Sequence, residues 1–331
     1  MSGHDIVVVG ASAGGLPALK GLLRALPGDL PASLFVVSHT LASGPMLLPK
    51  ILDNATDLRV MPAEDGQGIE HGHIYVAPPD HHLLLARRRM RLSRGPRENR
   101  HRPAIDPLFR SAAVTFGPRV QGIVLSGMLD DGTSGLRAIK TCGGTTMVQD
   151  PAEALYPDMP SHALRNAAVD HCAPVGHLAE IVTRKAQEAA DPRERYPVPE
   201  SLSVEVEFAS LQRQLKDIET LGAPSVFTCP SCKGSLTEVD DSGQLRFRCH
   251  TGHAFSAESL LAEQEDDLQN ALYSAVRAVE ENAALARRMV ERWGERFPRE
   301  RLASEEKAQE LEQTAQVLRR VILGRTAGRE G

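Results

Sequence analysis

Over the first 125 residues the hydrophobic positions fall in short unbroken runs instead of alternating with polar ones. Residues 5 to 10 read Asp-Ile-Val-Val-Val-Gly, Ser33 to Ser38 form a second run, and Val120 to Leu125 a third. Apolar runs of this length predict strands covered on both faces. Glycine-rich or polar sequence follows each run, and then a stretch of helical periodicity such as Leu16 to Ala25. The pattern predicts an α/β fold, a doubly wound and mainly parallel sheet with helices on both faces. Between the second and third strands, His73 to Ala77 and Leu83 to Leu92 read as a hairpin.

Beyond residue 183 the texture changes. Charged, proline-bearing sequence (Asp191-Pro-Arg-Glu-Arg-Tyr-Pro-Val-Pro) reads as part of a linker over 184–225 that holds a short helix. A small cysteine-bearing module is expected at 226–256, and a helical hairpin at 257–324. In the hairpin, Leu268, Leu272, Val276 and Val279 mark one apolar stripe, and Leu311, Ala315, Leu318 and Ile322 another. Gly294 and Pro298 interrupt the helical pattern, which places the turn near Trp293 to Pro298, with Ser256 as N-cap of the first helix.

In open parallel sheets ligands bind beyond the carboxyl ends of the strands, and here three such ends carry polar residues. After the first strand comes Gly10-Ala-Ser-Ala-Gly14-Gly15, a turn of small residues that can hold the Ser12 hydroxyl outward near helix amides. A dinucleotide-binding loop would need glycine at position 12, and a serine that merely caps the next helix is the plainer alternative. His39 ends the second strand; alone it would be an ordinary boundary residue, and its pairing with Ser12 gives it a chemical reading. After the third strand stand two adjacent carboxylates, Asp130 and Asp131.

Several segments in fixed order carry more than any one of them. Val7-Val-Val-Gly-Ala-Ser-Ala-Gly-Gly, Val36-Val-Ser-His39, His101-Arg-Pro-Ala-Ile-Asp106-Pro-Leu-Phe-Arg-Ser111, Gly127-Met-Leu-Asp-Asp131-Gly132, Gln149-Asp-Pro and Met159-Pro160 resemble the catalytic domain of chemotaxis protein-glutamate methylesterases, the CheB family, over residues 4 to 182. The resemblance implies a methylesterase domain at 1–183, with Ser12 as nucleophile, His39 as general base and Asp131 as the orienting carboxylate. It selects Asp131 over Asp130, which is left as a solvated or capping carboxylate. It implies hydrolysis of glutamate methyl esters on chemoreceptor-like proteins, deamidation of particular glutamines, and no catalytic cofactor. Backbone amides near Ala13 and Met128 are the oxyanion candidates. Ala13, Ser38 and Leu129 depart from the commonest family pattern, which favours threonine, glutamine and glycine there. His81, His82 and His101 are read as ordinary structural residues. Larger family members carry a receiver domain before the esterase; the sequence in hand begins at the esterase, so control by phosphorylation is not among the expectations. The rival from another class is a chemosensory adaptor on an esterase fold.

Cys229-Pro-Ser-Cys232 and Cys249-His-Thr-Gly-His253 flank a potential hairpin, Leu236 to Val239 against Leu245 to Arg248 around Asp241-Ser-Gly243. Two knuckles at paired strand ends predict a tetrahedral structural Zn2+ site of Cys229, Cys232, Cys249 and His253, with His250 a weaker fourth ligand. The alternative is unligated cysteines in a small hairpin. Cys142 and Cys172 are expected in the core, and five cysteines, an odd number, favour reduced thiols over a disulfide framework.

The basic run Arg87-Arg-Arg-Met-Arg91, with Arg94, Arg97, Arg100 and Arg102, reads as a solvated hairpin face that could steer the protein toward an acidic partner. A net charge of -5 argues against a nucleic-acid partner. No apolar run approaches the roughly 20 residues needed to cross a bilayer, so membrane insertion is not expected. No secretory signal opens the sequence, and the cytoplasm is the expected location.

Overall fold

The computed structural model describes residues 3–39, 45–190, 196, 198–211, 218, 220–241 and 244–327. Thirteen residues of the expected linker (191–195, 197, 212–217 and 219) and two residues of the 241–243 turn lie outside them.

In chain order the strands are β1 (Ile6–Ala11), β2 (Ser33–Ser38), β3 (Arg59–Pro62), β4 (His73–Val76), β5 (His82–Ala86), β6 (Arg89–Ser93), β7 (Val120–Val124), β8 (Thr145–Gln149) and β9 (His171–Ala173). Seven of them form one parallel sheet in the order β3-β4-β2-β1-β7-β8-β9. The helices between and after them are α1 (Gly15–Ala25), α2 (Leu48–Asp53), α3 (Ile105–Phe116), α4 (Thr133–Thr141), α5 (Asp158–Asn166), α6 (Val175–Gln187) and α7 (Glu200–Ala209).

The unbroken apolar runs have a simple cause. Val7 and Val9 of β1 face one core cluster with Leu19 and Leu22 of α1 and Leu178 and Val182 of α6. Ile6 and Val8 face a second cluster with Ile105, Leu108 and Phe109 of α3 and Leu136 of α4. With both faces covered, neither set of alternate residues meets water, so polar residues have no place in the run. Each fully buried valine or leucine contributes roughly 1.5–3 kcal/mol relative to exposure.

One pairing differs from the sequence reading. His73–Val76 does not fold against the 83–92 segment: β4 joins the main sheet between β3 and β2, and the hairpin is β5 with β6 alone. Leu83, Leu85 and Met90 of that hairpin complete the second core cluster. The burial of Ile74, Tyr75 and Val76 explains the difference, since a three-residue apolar stretch fits an inner parallel strand. Cys142 is buried, but Cys172 is exposed, because β9 is the sheet's edge strand and turns that residue outward.

The cysteine module is a four-stranded antiparallel sheet of β10 (Gly222–Thr228), β11 (Ser235–Asp241), β12 (Gln244–Cys249) and β13 (Ala254–Ser256). Its central pair runs from Leu236↔Cys249 to Val239↔Arg246, joining the two segments expected to form the hairpin, with one further strand on each side. The chain divides into two compact units, 1–260 and 261–331. The module belongs to the first. Helix α8 (Ala257–Trp293) starts there, and the Ser256 hydroxyl accepts the Ser259 N–H at 3.0 Å as its N-cap. In the second unit α8 runs antiparallel to α9 (Pro298–Ala327), as Arg287–Glu312 and Arg319–Glu280 pairs require. Val276, Ala283 and Ala286 are buried there with Ala308, Ala315 and Ile322.

Candidate active site

Sheet order explains how residues 12, 39 and 131 meet. They follow β1, β2 and β7, which are neighbours in the sheet (β2-β1-β7), so their carboxyl ends open on one rim. Ser12 sits in the turn between β1 and α1. Its N–H donates to Ser126 O at 2.9 Å, and Gly14 takes φ +67°, a left-handed conformation that costs glycine little. Gly127 allows the close approach behind it: a Cβ there would lie 2.0 Å from Met159 Sδ and 2.8 Å from Ser12 Cβ.

His39 Nδ1 lies 2.9 Å from Ser12 Oγ, and His39 Nε2 lies 2.8 Å from Asp131 Oδ2. With Nε2 donating to the carboxylate, Nδ1 is left to accept the serine proton. Asp131 is buried and saturated with donors. Oδ2 also accepts Ile105 N–H at 2.7 Å, and Oδ1 accepts Asn99 Nδ2 at 2.9 Å and Gly132 N–H at 3.1 Å. Burial by itself would raise this carboxyl, but the bond and charge of His39, joined by the Ile105 and Asn99 donors, hold it well below the usual carboxylate range. It is therefore an anion at any working pH. Ala13 and Met128 flank the serine and the Asp131 loop, and among the described residues neither amide has an intrachain hydrogen-bond partner. Met128 as a residue is 53% exposed. A hydroxyl, an imidazole and a carboxylate in series beside free amides can carry out acyl transfer to serine.

Two residues with no assigned role in the sequence reading belong to this site. His101 stacks on His39, ring centroids 3.6 Å apart and planes within 10°, and is not an ordinary loop residue. Burial and the adjacent His39 push it down to about 3, so it remains a neutral plate against the imidazole. Asn99 donates through Nδ2 to both Asp131 and Asp106, while its Oδ1 accepts Ser256 N–H at 3.0 Å and Ser259 Oγ–H at 3.1 Å. One amide thus joins the triad loop to the start of α8. Only its position two residues before His101 in a motif-bearing segment could have drawn attention to it. His82 is structural, as expected: it bridges Pro96 O and Ala104 N–H in full burial. Asp130 is not solvated. It is 2% exposed, and its Oδ1 accepts the Ser256 hydroxyl at 2.7 Å, because β13 and α8 cover the loop that the primary structure leaves apparently open.

A buried ion cluster ties the cysteine module to this region. Arg110 pairs with Glu98 and Glu205, Arg246 with Glu205 at 2.8 Å, and Arg248 with Glu98 at 3.1 Å. Burial raises the carboxyl of Glu205, and the three arginines outweigh it and hold the group far below its ordinary value. Backbone bonds run alongside, Asn99 N–H to Ala254 O at 2.8 Å and Ala254 N–H to Arg97 O at 3.2 Å. Of the basic run, Arg87, Arg88, Arg89 and Arg91 are exposed around the β5–β6 turn, whereas Arg102 binds Asp80 and the Arg94 and Gly95 carbonyls.

Cys229, Cys232, Cys249 and His253 come together, their ligand atoms all within 4.8 Å of one another, while His250 is exposed and outside the group. Sγ of Cys232 and Cys249 are 3.6 Å apart, and His253 Nδ1 is 3.5 Å from Cys249 Sγ and 3.8 Å from Cys229 Sγ. Zn2+ with bonds of about 2.3 Å to sulfur and about 2.0 Å to nitrogen sets tetrahedral ligands about 3.5–3.8 Å apart. The donor set fits that ion.

A serine-hydrolase-type site on a doubly wound α/β sheet is the class that these observations define. Over residues 7–182, more than half of its length, the chain matches the CheB methylesterase model. It belongs to the CheB methylesterase family. It is 40% identical over 181 residues to a protein-glutamate methylesterase/protein-glutamine glutaminase of Geobacter metallireducens, covering 54% of this chain and 50% of that protein. A putative protein of the same description from Leptospira interrogans is 34% identical over 57% of this chain and 99% of its own length. The crystal structure of the Thermotoga maritima CheB methylesterase catalytic domain superposes with a TM-score of 0.52 at 31% identity, over 56% of this chain and 99% of that one. The chain thus spans about half the length of the first relatives it matches. Among the described residues, no helix is long and apolar enough to cross a membrane.

Proposed function

We propose that this protein hydrolyses glutamate methyl esters on chemoreceptor-like proteins in the cytoplasm, and deamidates particular glutamines at the same site. The observation that carries the reading is the continuous hydrogen-bond chain from Ser12 Oγ through His39 to Asp131. Ser12 Oγ attacks the side-chain carbonyl of a methylated glutamate while His39 Nδ1 takes its proton. The tetrahedral oxyanion is met by the Ala13 and Met128 amides. Collapse expels methoxide, which leaves as methanol with the proton from His39. Water, deprotonated by His39, then attacks the acyl-serine, and the carboxylate departs as Ser12 regains its proton. A glutamine substrate differs only in that ammonia leaves. Through both steps Asp131 keeps Nε2 protonated and stabilises the imidazolium.

Cys229, Cys232, Cys249 and His253 would hold a structural Zn2+, which closes the small module and takes no part in the reaction since four protein ligands leave no open position. The test is methanol release from membranes carrying methylated receptors, wild type against Ser12→Ala. Release abolished by the substitution supports the reading; equal release, or none from wild type, favours a scaffold built on an esterase fold.

A further inference from the structure

Asp130, His162 and Glu258 converge from three separate segments, the loop after β7, helix α5 and the first turn of α8. Their ligand atoms lie within 4.8 Å of one another, and His162 Nδ1 is 3.7 Å from Glu258 Oε1. None of the three takes part in the triad or the cysteine cluster. Two of the converging atoms, Asp130 Oδ2 and His162 Nδ1, are buried with no hydrogen-bond partner, and Asp130 as a residue is 2% exposed. A buried carboxylate oxygen without a donor destabilises the fold unless something satisfies it. Its other oxygen already accepts the Ser256 hydroxyl, so that bond cannot offset the cost at Oδ2.

Two carboxylates and an imidazole nitrogen converge on one point, a set that either a proton, shared by the carboxyls or carried on His162 Nδ1, or a cation must satisfy. We propose that these three side chains form a second divalent-cation site, distinct from the cysteine cluster in place and in chemistry. All its donors are oxygen or nitrogen, which suits Mn2+ or Zn2+ and offers nothing to ions that demand thiolate. Adjacent ligands of such an ion, with bonds of about 2.1 Å, stand about 3.0–3.5 Å apart, and rotation of the long Glu258 side chain brings the 3.7 Å pair to that spacing. Glu258 is 41% exposed, so water fills the remaining positions. The ion would tie α5 and the start of α8 to the loop that carries Asp131.

Mn2+ titration of the full chain, followed by loss of the free-ion magnetic-resonance signal, reads the site directly without any ester hydrolysis. One Mn2+ per chain is expected in wild type, with affinity at least tenfold weaker in Glu258→Gln and in His162→Gln. Both residues are partly exposed, and circular dichroism with the cation-free melting temperature checks that the variants fold. In parallel, Zn2+ retained after gel filtration should be one equivalent higher in wild type than in Glu258→Gln, whatever the cysteine cluster holds. If neither cation distinguishes wild type from the two variants, the site is a carboxyl pair sharing a proton and the proposal falls.

Discussion

The catalytic rim and the cysteine module both gather residues far apart in sequence, and they do so by opposite means. At the rim the sheet does the work: Ser12, His39 and Asp131 end neighbouring strands whose two faces are sealed by large apolar clusters. The module has a small core, chiefly Leu236, Phe247, Phe255 and Leu260 around its cysteines. Apolar burial of that size is too little to fold a unit alone, so the module depends on its ties to the rest of the first unit and, on the proposed reading, on ligand bonds to Zn2+. The two regions should therefore fail differently. Ser12→Ala is expected to lower methanol release by roughly 10^5- to 10^6-fold with the melting temperature unchanged, as for loss of a serine nucleophile elsewhere. Cys249→Ser should instead remove bound Zn2+, measured by metal analysis, and loosen the amides of β10 to β13 in hydrogen exchange.

The joint between the regions is the sharper probe. Glu205 is buried among Arg110, Arg246 and Arg248, and removing its charge leaves three cations with Glu98 as the buried counter-ion. Glu205→Gln should cost about 3–5 kcal/mol in urea unfolding at neutral pH. The sign with pH follows from its depressed carboxyl. The stabilisation is present above the ordinary glutamate value of about 4.5 and is lost as pH falls below it toward the folded value. The gap between wild type and variant should thus narrow in acid, and a gap that stays constant would show that the charge is not its source.

Asn99 crosses the comparison, since one amide group serves both regions. Asn99→Ala removes one of the donors to Asp131 and leaves Ser256 N–H without its acceptor. A loss of about 1–3 kcal/mol in stability and a roughly tenfold fall in methanol release are expected together. A stability loss with unchanged kcat would show that Asp131 is held well enough by its remaining donors, Ile105, Asp106, Gly132 and His39.

What could be read in advance divides along the same line. The rim was visible because continuous apolar runs, small-residue turns and strand-end polar residues are local signals that sheet order then brings together. The roles of Asn99 and His101 were not: Asn99 joins Asp131 to Ser256, 157 positions further along the chain, and His101 stacks on a ring 62 positions before it, contacts that leave no local mark. The ion cluster left a faint trace: Asp106 and Arg110 stand one turn apart on the otherwise apolar helix α3, where a solvated pair would be out of place. His73–Ala77 misleads because a neighbour in sequence need not be a neighbour in the sheet, and a four-residue strand carries no mark of whether its partner is parallel or antiparallel.

The smallest effect concerns one rim position that departs from the family pattern. Leu129 lies in the loop between Met128 and Asp130 with φ +60°, a left-handed conformation that its Cβ disfavours. Glycine, the residue that the family resemblance implies here, adopts such an angle at little cost. The strain of Leu129 is local, and it is offset by the bonds on either side, Asp130 to Ser256 and Asp131 to its five donors. Leu129→Gly should therefore stabilise the fold by about 1 kcal/mol, read as a higher urea midpoint with unchanged slope. A drop of similar size would mean that the leucine side chain contributes packing that outweighs its backbone strain, and that the rim is held by that contact as well as by the sheet beneath it.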